Sequence, residues 1–419
     1  MNYYYFIRKH SKFLAFGFSL NFFSSFGQTF YLSLYNTSIR EALDITQGEL
    51  ATLYAAATIL GSISMLSLGW LLDKIDLRVF VTITSLIVLL GSWVFSIADS
   101  LFLFFISIFL LRFAGQGLWG LASQVSMARY FDAERGLAAS IANIGFALGF
   151  TVFPLTGIWL ISIFDWREVW FSSGIFIVLI VIPLFGFFLQ GHTERDKTYK
   201  QKLAADNSDR TFNTIKHWTL WQTLWDKKFW LLQPAVTAVP AIIFSIQFHQ
   251  LYIIESKGWS LSIYAASYSL FALTLLLGNI LGGLLIDRIG SLKVIQYSLL
   301  PLIPALISLG FSDGIFNIQV LMLFSGLAFG LALVAYITVW AELYGTKYMG
   351  AIRSCFFSLN VFFTSGVMAL LGFLIDKLIG LDLMVAGGLV FILFASVLLI
   401  FTNRIIKHEN TSLIIKRPE

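Results

Sequence analysis

About twelve stretches of this 419-residue chain are apolar enough to cross a bilayer as helices, each of which needs ~20 mostly apolar residues. They lie near 13–35, 49–71, 79–98, 101–124, 137–163, 169–190, 229–254, 263–286, 294–311, 315–340, 353–375 and 384–402. Hydrocarbon offers backbone amides no partner, so a segment of this kind must satisfy its own hydrogen bonds as a helix. Composition agrees: 58% hydrophobic and 12% charged residues, with a mean hydropathy of +0.82, give about half the charge of a soluble domain. The expected class is an all-α membrane protein with twelve transmembrane helices. A single long polar stretch divides them six from six, giving expected domains at 1–190 and 229–403, a cytoplasmic central loop at 191–228 and a cytoplasmic tail at 404–419.

Positive residues set the orientation. Arg8, Lys9 and Lys12 precede a run that continues to Tyr35, too long for a signal-peptide core, so it reads as a retained first helix. With the N-terminus inside, the inner loops and tails hold twenty-three Lys and Arg and the outer loops four, Arg40, Arg167, Lys257 and Lys377. Both termini are expected on the cytoplasmic side of the cell inner membrane. The net charge of +5 is spread along the loops and is not a nucleic-acid footprint.

The chain also repeats itself. Gly69-Trp70-Leu71-Leu72-Asp73-Lys74 recurs 214 positions later as Gly283-Leu284-Leu285-Ile286-Asp287-Arg288, and at that offset Tyr54 falls on Tyr268, Asp99 on Asp313, Phe102 on Phe316, Tyr130 on Tyr344 and Gly136 on Gly350. Repeated apolar segments are what transporters with a site between two halves look like. The two linking sequences resemble the loop between the second and third helices of the major facilitator superfamily, G-x-L-x-D-R/K-x-G-R/K-R/K. The second copy keeps Gly283, Leu285, Asp287, Arg288 and Gly290; the first keeps Gly69, Leu71, Asp73, Lys74 and Arg78 but has Asp76 in place of the second glycine. The resemblance implies two pseudo-symmetric six-helix bundles that admit a solute alternately from each side. It also implies a part in conformational gating for Gly69, Asp73, Lys74, Arg78, Gly283, Asp287, Arg288 and Gly290, with Arg135 and Arg353 as basic partners of the two aspartates.

Two further segments bear on the branch. Leu111-Arg112-Phe113-Ala114-Gly115-Gln116-Gly117 resembles the superfamily's fourth-helix R-x-x-Q-G, with one extra residue that turns Gln116 away from the usual direction. Ala128-Arg129-Tyr130-Phe131 with Arg135-Gly136 and Ala138, and the turn Asp165-Trp166-Arg167, are similar to the monocarboxylate and oxalate–formate carriers. The basic residues that such carriers place in their eighth and eleventh helices are missing here. Gly145 and Gly149 resemble the fifth-helix motif of drug antiporters only loosely.

Arg112 is the one basic residue in the interior of a predicted span, Arg353 standing at the cytoplasmic end of its own. An intramembrane charge costs at least ~2.5–3.5 kcal/mol unless it faces protein or water, so it must face inward. It then either binds an anionic substrate group or responds to the proton cycle, or it only donates hydrogen bonds to backbone carbonyls and fixes helix packing. Gln116, Trp119 and Ser123 continue its face. The first helix carries Asn21, Ser24, Ser25, Gln28, Tyr31 and Tyr35 as a polar stripe, and the seventh repeats the idea with Thr237, Ser245, His249 and Tyr252. Tyr336, Trp340 and Asn360 are further inward candidates. The expected solute site therefore comprises Arg112, Gln28, Tyr31, Asn21, Gln116, His249, Tyr252, Tyr336, Trp340 and Asn360. The alternative for the polar members is helix–helix hydrogen bonding. His249, the one histidine in a span, is with Arg112 the candidate for proton coupling.

No catalytic residue, metal ligand set or cofactor is expected. Cys355 is the single cysteine, and neither HExxH, GxSxG nor a Walker loop occurs. The chain reads as a monomeric secondary transporter, not an enzyme, whose partners are a small-molecule substrate, protons and the lipid bilayer. The substrate expected from Arg112 is a small organic anion such as a monocarboxylate. Efflux of amphipathic compounds and a transporter-like ligand sensor are the alternatives.

Overall fold

The computed structural model describes residues 3–68, 71–131, 135–206, 218–311, 313–345 and 349–415. All regular structure among them is helical. The chain divides into two compact units, Met1–Thr46 with Leu53–Thr214, and Gln47–Thr52 with Ile215–Glu419.

Unit 1 holds α1 (Tyr3–Phe23), α2 (Gln47–Leu68) from Leu53 onward, α3 (Leu77–Ser96), α4 (Leu101–Tyr130), α5 (Arg135–Ile161), α6 (Trp166–Phe188) and α7 (His192–Asp206). Unit 2 holds the first turn of α2, then α8 (Leu220–Leu224), α9 (Lys227–Phe248), α10 (Leu261–Ile289), α11 (Ser291–Gly310), α12 (Phe316–Tyr344), α13 (Met349–Asp376) and α14 (Leu381–Ile415). Ten helices among the described residues are long and apolar enough to span a membrane, and they correspond to ten of the twelve predicted runs. The other two runs fall on α1 and α2. The first of these is no single rod, because it breaks before Thr29.

The helix starts are written locally. Asp76 accepts from the Arg78 N–H at 2.8 Å, Asp226 from Lys228 N–H at 3.0 Å, and Asp165 forms a reciprocal capping box with Glu168. Such caps satisfy amide donors that the first turn cannot. The two linking loops turn differently. Gly290 sits at φ +82°, ψ 158°, open in practice to glycine alone, whereas Asp76, its offset match, has φ −59° and caps α3. The aspartate is therefore a helix start in its own right, not a damaged copy of the glycine turn.

Gly69 lies outside the described residues, as do the side chains of Asp73 and Arg135. Arg78 reaches the head of α7, donating from Nη2 to Thr193 Oγ1 at 2.9 Å. Asp287 and Arg288 are exposed at the end of α10, and Asp287 forms no ion pair with Arg353 among the described residues. The carboxylate that meets the N-terminus of α11 is instead Glu342 of α12, which accepts from the Ser291 N–H at 3.3 Å and its hydroxyl at 2.5 Å.

Among the long apolar helices of unit 2, α9 is the most buried, at 72% of its apolar stretch, and α13 and α14 the least, at 22%. The latter turn residues such as Val390 and Leu393 outward, where acyl chains would cover them.

Candidate functional site

In unit 1, α1 tightens into a 3₁₀ turn over Ser24–Gly27, Gln28 is extended at φ −85°, ψ 147°, and helix resumes at Thr29. Packed on this break, α4 winds as a π-helix over Leu111–Leu118. The two irregular segments cross closely because Gly27 has no side chain; a Cβ there would collide with the Leu111 carbonyl and the Gln116 N–H. A π-turn advances less per residue than an α-turn. It therefore takes up the extra residue between Arg112 and Gln116 that shifts the sequence motif.

Arg112 fills the crossing. Its Nε donates to Thr58 Oγ1 at 3.1 Å, and its Nη1 to the Gly27 carbonyl at 3.0 Å and Thr29 Oγ1 at 3.2 Å. The guanidinium lies 5.2 Å from the Tyr54 ring centroid, and Tyr54 donates its hydroxyl proton to Thr29 Oγ1 at 3.1 Å. Broken helices are tolerated at membrane depth where other groups satisfy the freed backbone, and here the arginine does so. All of these partners are neutral.

Unit 2 carries a related break. α9 stops at Phe248, His249 has φ −92°, ψ 17°, and a short helix runs over Gln250–Lys257. Tyr268 donates to Gln250 Oε1 at 2.9 Å. The two tyrosines matched by the sequence repeat thus act alike, each donating to the polar side chain that follows a helix break. The arginine is not repeated. Its offset match is Gly326, where any side chain would collide with the Phe271 carbonyl and Thr274. Beside it lies a narrow cavity of ≈ 10 Å³ lined by Gln247, Tyr264, Tyr268 and Ser325, about the room that one water needs. The Ser325 hydroxyl is buried there without a hydrogen-bond partner among the described residues.

His249 is 3% exposed and held at both ring nitrogens. Nε2 lies 3.0 Å from the Met368 carbonyl and Nδ1 2.8 Å from Gln47 Nε2. A carbonyl only accepts, so Nε2 carries the proton and Nδ1 accepts from the Gln47 amide. Nearby, the Asp376 carboxylate takes the N–H groups of Gln47 at 3.0 Å and Gly48 at 2.8 Å.

The other predicted residues divide by neighbourhood. Gln28 and Gln116 share the Arg112 crossing, and the Gln28 amide, in a residue only 6% exposed, makes no hydrogen bond to a described residue. Asn21 donates to the Ala142 carbonyl at 3.0 Å, and Tyr31 accepts from the Tyr35 hydroxyl at 3.0 Å. Tyr252 is half-buried at the unit 2 break. Tyr336 and Trp340 flank Phe356, their ring centroids 6.2 and 4.8 Å from its own, and the Tyr336 hydroxyl and Trp340 indole N–H are buried without partners among the described residues. Asn360 donates to the Val236 carbonyl at 3.2 Å. Sequence reading passed over Thr58, Gln47 and Met368 as contributors. It met Tyr54 and Tyr268 only as repeat identities, which was the available signal.

A family profile described as the Major Facilitator Superfamily matches residues 17–363. The chain belongs to that superfamily. Its members are transporters, so the protein is a multi-pass membrane transporter of a small molecule and not an enzyme. The crystal structure of the nucleoside transporter NupG is similar with a TM-score of 0.68 at 15% identity, covering 95% of this chain and 99% of that one. A bacterial homolog of the human lysosomal transporter Spinster, in an inward-facing and unoccupied conformation, is similar with a TM-score of 0.60 at 16% identity, covering 94% and 97%. At these identities the likeness is one of fold. Among curated proteins no sequence match is found.

Proposed function

We propose that this superfamily member carries a small organic anion, such as a monocarboxylate, across the cell inner membrane by alternating access in a proton-coupled cycle. One observation carries the reading: the Arg112 guanidinium is buried among neutral oxygens and a tyrosine ring, so among its described partners no carboxylate balances it. A low-dielectric site with uncompensated positive charge favours an anionic ligand over a neutral one of equal shape. Gln28 and Gln116 at the same crossing would supply donors for the remaining oxygens. His249 is the proton carrier in this scheme. Protonating Nδ1 would replace the amide donor of Gln47 with a need for an acceptor, which rotation of that amide provides, so one proton would rearrange a contact between α9 and the first turn of α2.

A second reading, transport of an uncharged polar solute such as a nucleoside, is favoured by the unit 2 helix break, where Gly326 stands at the offset match of Arg112 and the nearby polar side chains of Gln247, Gln250, Tyr268 and Ser325 bear no charge. Thermal stabilisation of the purified protein by monocarboxylates, dicarboxylates, sugars, amino acids and nucleosides separates the two. The anion reading expects stabilisation by a carboxylate that survives Arg112→Lys and disappears in Arg112→Gln. If neutral solutes stabilise all three proteins equally, that reading is overturned. In proteoliposomes, a protonophore should abolish accumulation of the solute, and His249→Gln should leave exchange while losing accumulation. Accumulation indifferent to the protonophore rules out the coupling.

A further inference from the structure

Two helices of unit 2 pass from apolar to charged sequence at one place. α9 starts at Lys227, directly after Asp226, and the apolar run of α14 gives way to Asn403, Arg404 and Lys407. Lys227 and Ile405 line the same open groove of ≈ 560 Å³, together with Trp218, Trp221, Gln222, Trp225, Asp226 and Lys228. Both apolar runs give way to charge beside the groove, the pattern expected at headgroup level.

Its lining is specific in kind. Trp221 and Trp225 are 72% and 85% exposed, on and just beyond the short helix α8. Neither indole N–H has a hydrogen-bond partner among the described residues. Rings with an apolar body and a polar edge are suited to the zone where acyl chains give way to headgroups. The lining carries two ammonium groups and one carboxylate. Asp226 pairs with Lys228 at 3.5 Å, and the Lys228 ammonium stands 5.6 Å from the centroid of the Trp218 ring. Lys227 is exposed and forms no ion pair among the described residues, which leaves the groove with one net positive charge. Indole faces would add nothing for a small aqueous anion, and an ammonium would add little for a purely apolar chain. The combination fits a molecule that has both parts. Basic pockets beside membrane helices take anionic lipid headgroups by this chemistry.

We propose that this groove binds an anionic phospholipid, its phosphodiester against Lys227 and Lys228 and its glycerol backbone and upper acyl chain against Trp221, Trp225 and Ile405. None of its lining residues belongs to the expected solute site, and the proposal does not depend on what is transported.

Native mass spectrometry of the full chain in detergent tests it, with phosphatidylglycerol and phosphatidylcholine of identical acyl chains added in turn. Wild type should retain phosphatidylglycerol about tenfold more tightly. Lys227→Gln should lose about fivefold of that preference, the weight of one lysine near a charged lipid, while Trp221→Ala with Trp225→Ala should weaken retention of both lipids. Glycerol 3-phosphate should not compete. Equal retention of the two lipids by wild type overturns the proposal, as does an unaltered preference in Lys227→Gln or full competition by glycerol 3-phosphate. Should the tryptophan variant fail to fold, the exposed Lys227→Gln carries the test alone.

Discussion

Arg112 shows how one side chain can be scaffold and site together. It spends Nε and Nη1 on Thr58, Gly27 and Thr29, bridging a broken helix, the helix after it and α2. Hydrogen bonds from a charged donor contribute ~1.5–3 kcal/mol, and buried acceptors left without one cost a further ~1–3 kcal/mol each. Arg112→Ala is therefore expected to lower the stability of the solute-free protein by at least about 3 kcal/mol, read as a fall in unfolding temperature in detergent. An unchanged temperature would show that the arginine supports nothing. Gly27→Ala should also destabilise, because the added methyl meets backbone on α4 and not a movable side chain; overpacking of this kind costs ~1–3 kcal/mol. Circular dichroism melts of that variant supply the check.

At the scale of elements, the packing of α7 against α1 and α4 turns on His192. His192 is 1% exposed, with its ring stacked on Phe13 at 6.0 Å and edge-on to Tyr130 at 5.2 Å. Arg195 covers the Phe13 ring at 3.9 Å, and the Tyr130 hydroxyl donates to Asp196 Oδ1 at 3.1 Å. Burial holds the His192 pKa below its ordinary 6.5, against the opposing pull of Asp76 and Asp196 and with help from Arg195 and Arg78. A histidine depressed in the folded state is neutral there while the undocked helix takes up a proton. Its contribution is whole above pH ~6.5 and is lost as pH falls from there towards the folded value. Amide exchange over 192–206 should accelerate between pH 7.5 and 5.5, and His192→Phe should flatten that dependence. An identical pH profile in the variant would place the sensitivity elsewhere. At the α11 start, Glu342→Ala should cost about 1 kcal/mol, the usual value of an N-terminal cap, and speed exchange at Ser291–Leu299.

For the whole molecule, the distribution of positive residues predicts which loops share a side. In a Cys355→Ser background, Ser162→Cys should react with a membrane-impermeant maleimide in intact cells and Lys74→Cys only after lysis. The reverse pattern would invert the topology.

Much of this was legible in the chain itself. Membrane helices declare themselves through length and apolarity because the bilayer permits few other ways to satisfy a backbone, and ten of the twelve predicted runs are helices long and apolar enough to cross one among the described residues. The superfamily, too, could be read from the linking loops. The central features of the candidate site could not. The composition of the first run does not say that it breaks at Gln28, since a break depends on a partner that can donate to the freed carbonyl, and that partner lies 85 residues on. Likewise the extra residue before Gln116 counts as a shifted motif or as a π-turn according to what packs against it.

The sequence by itself determined that the chain lives in a bilayer as helices and that it derives from this superfamily, because both follow from local apolarity and short contiguous motifs. Only the tertiary structure decided that Arg112 grips a neighbouring helix, that Glu342 and not Asp287 starts α11, and that Tyr54 and Tyr268 do matching work. Those assignments depend on distances between segments remote in sequence, which no local pattern encodes.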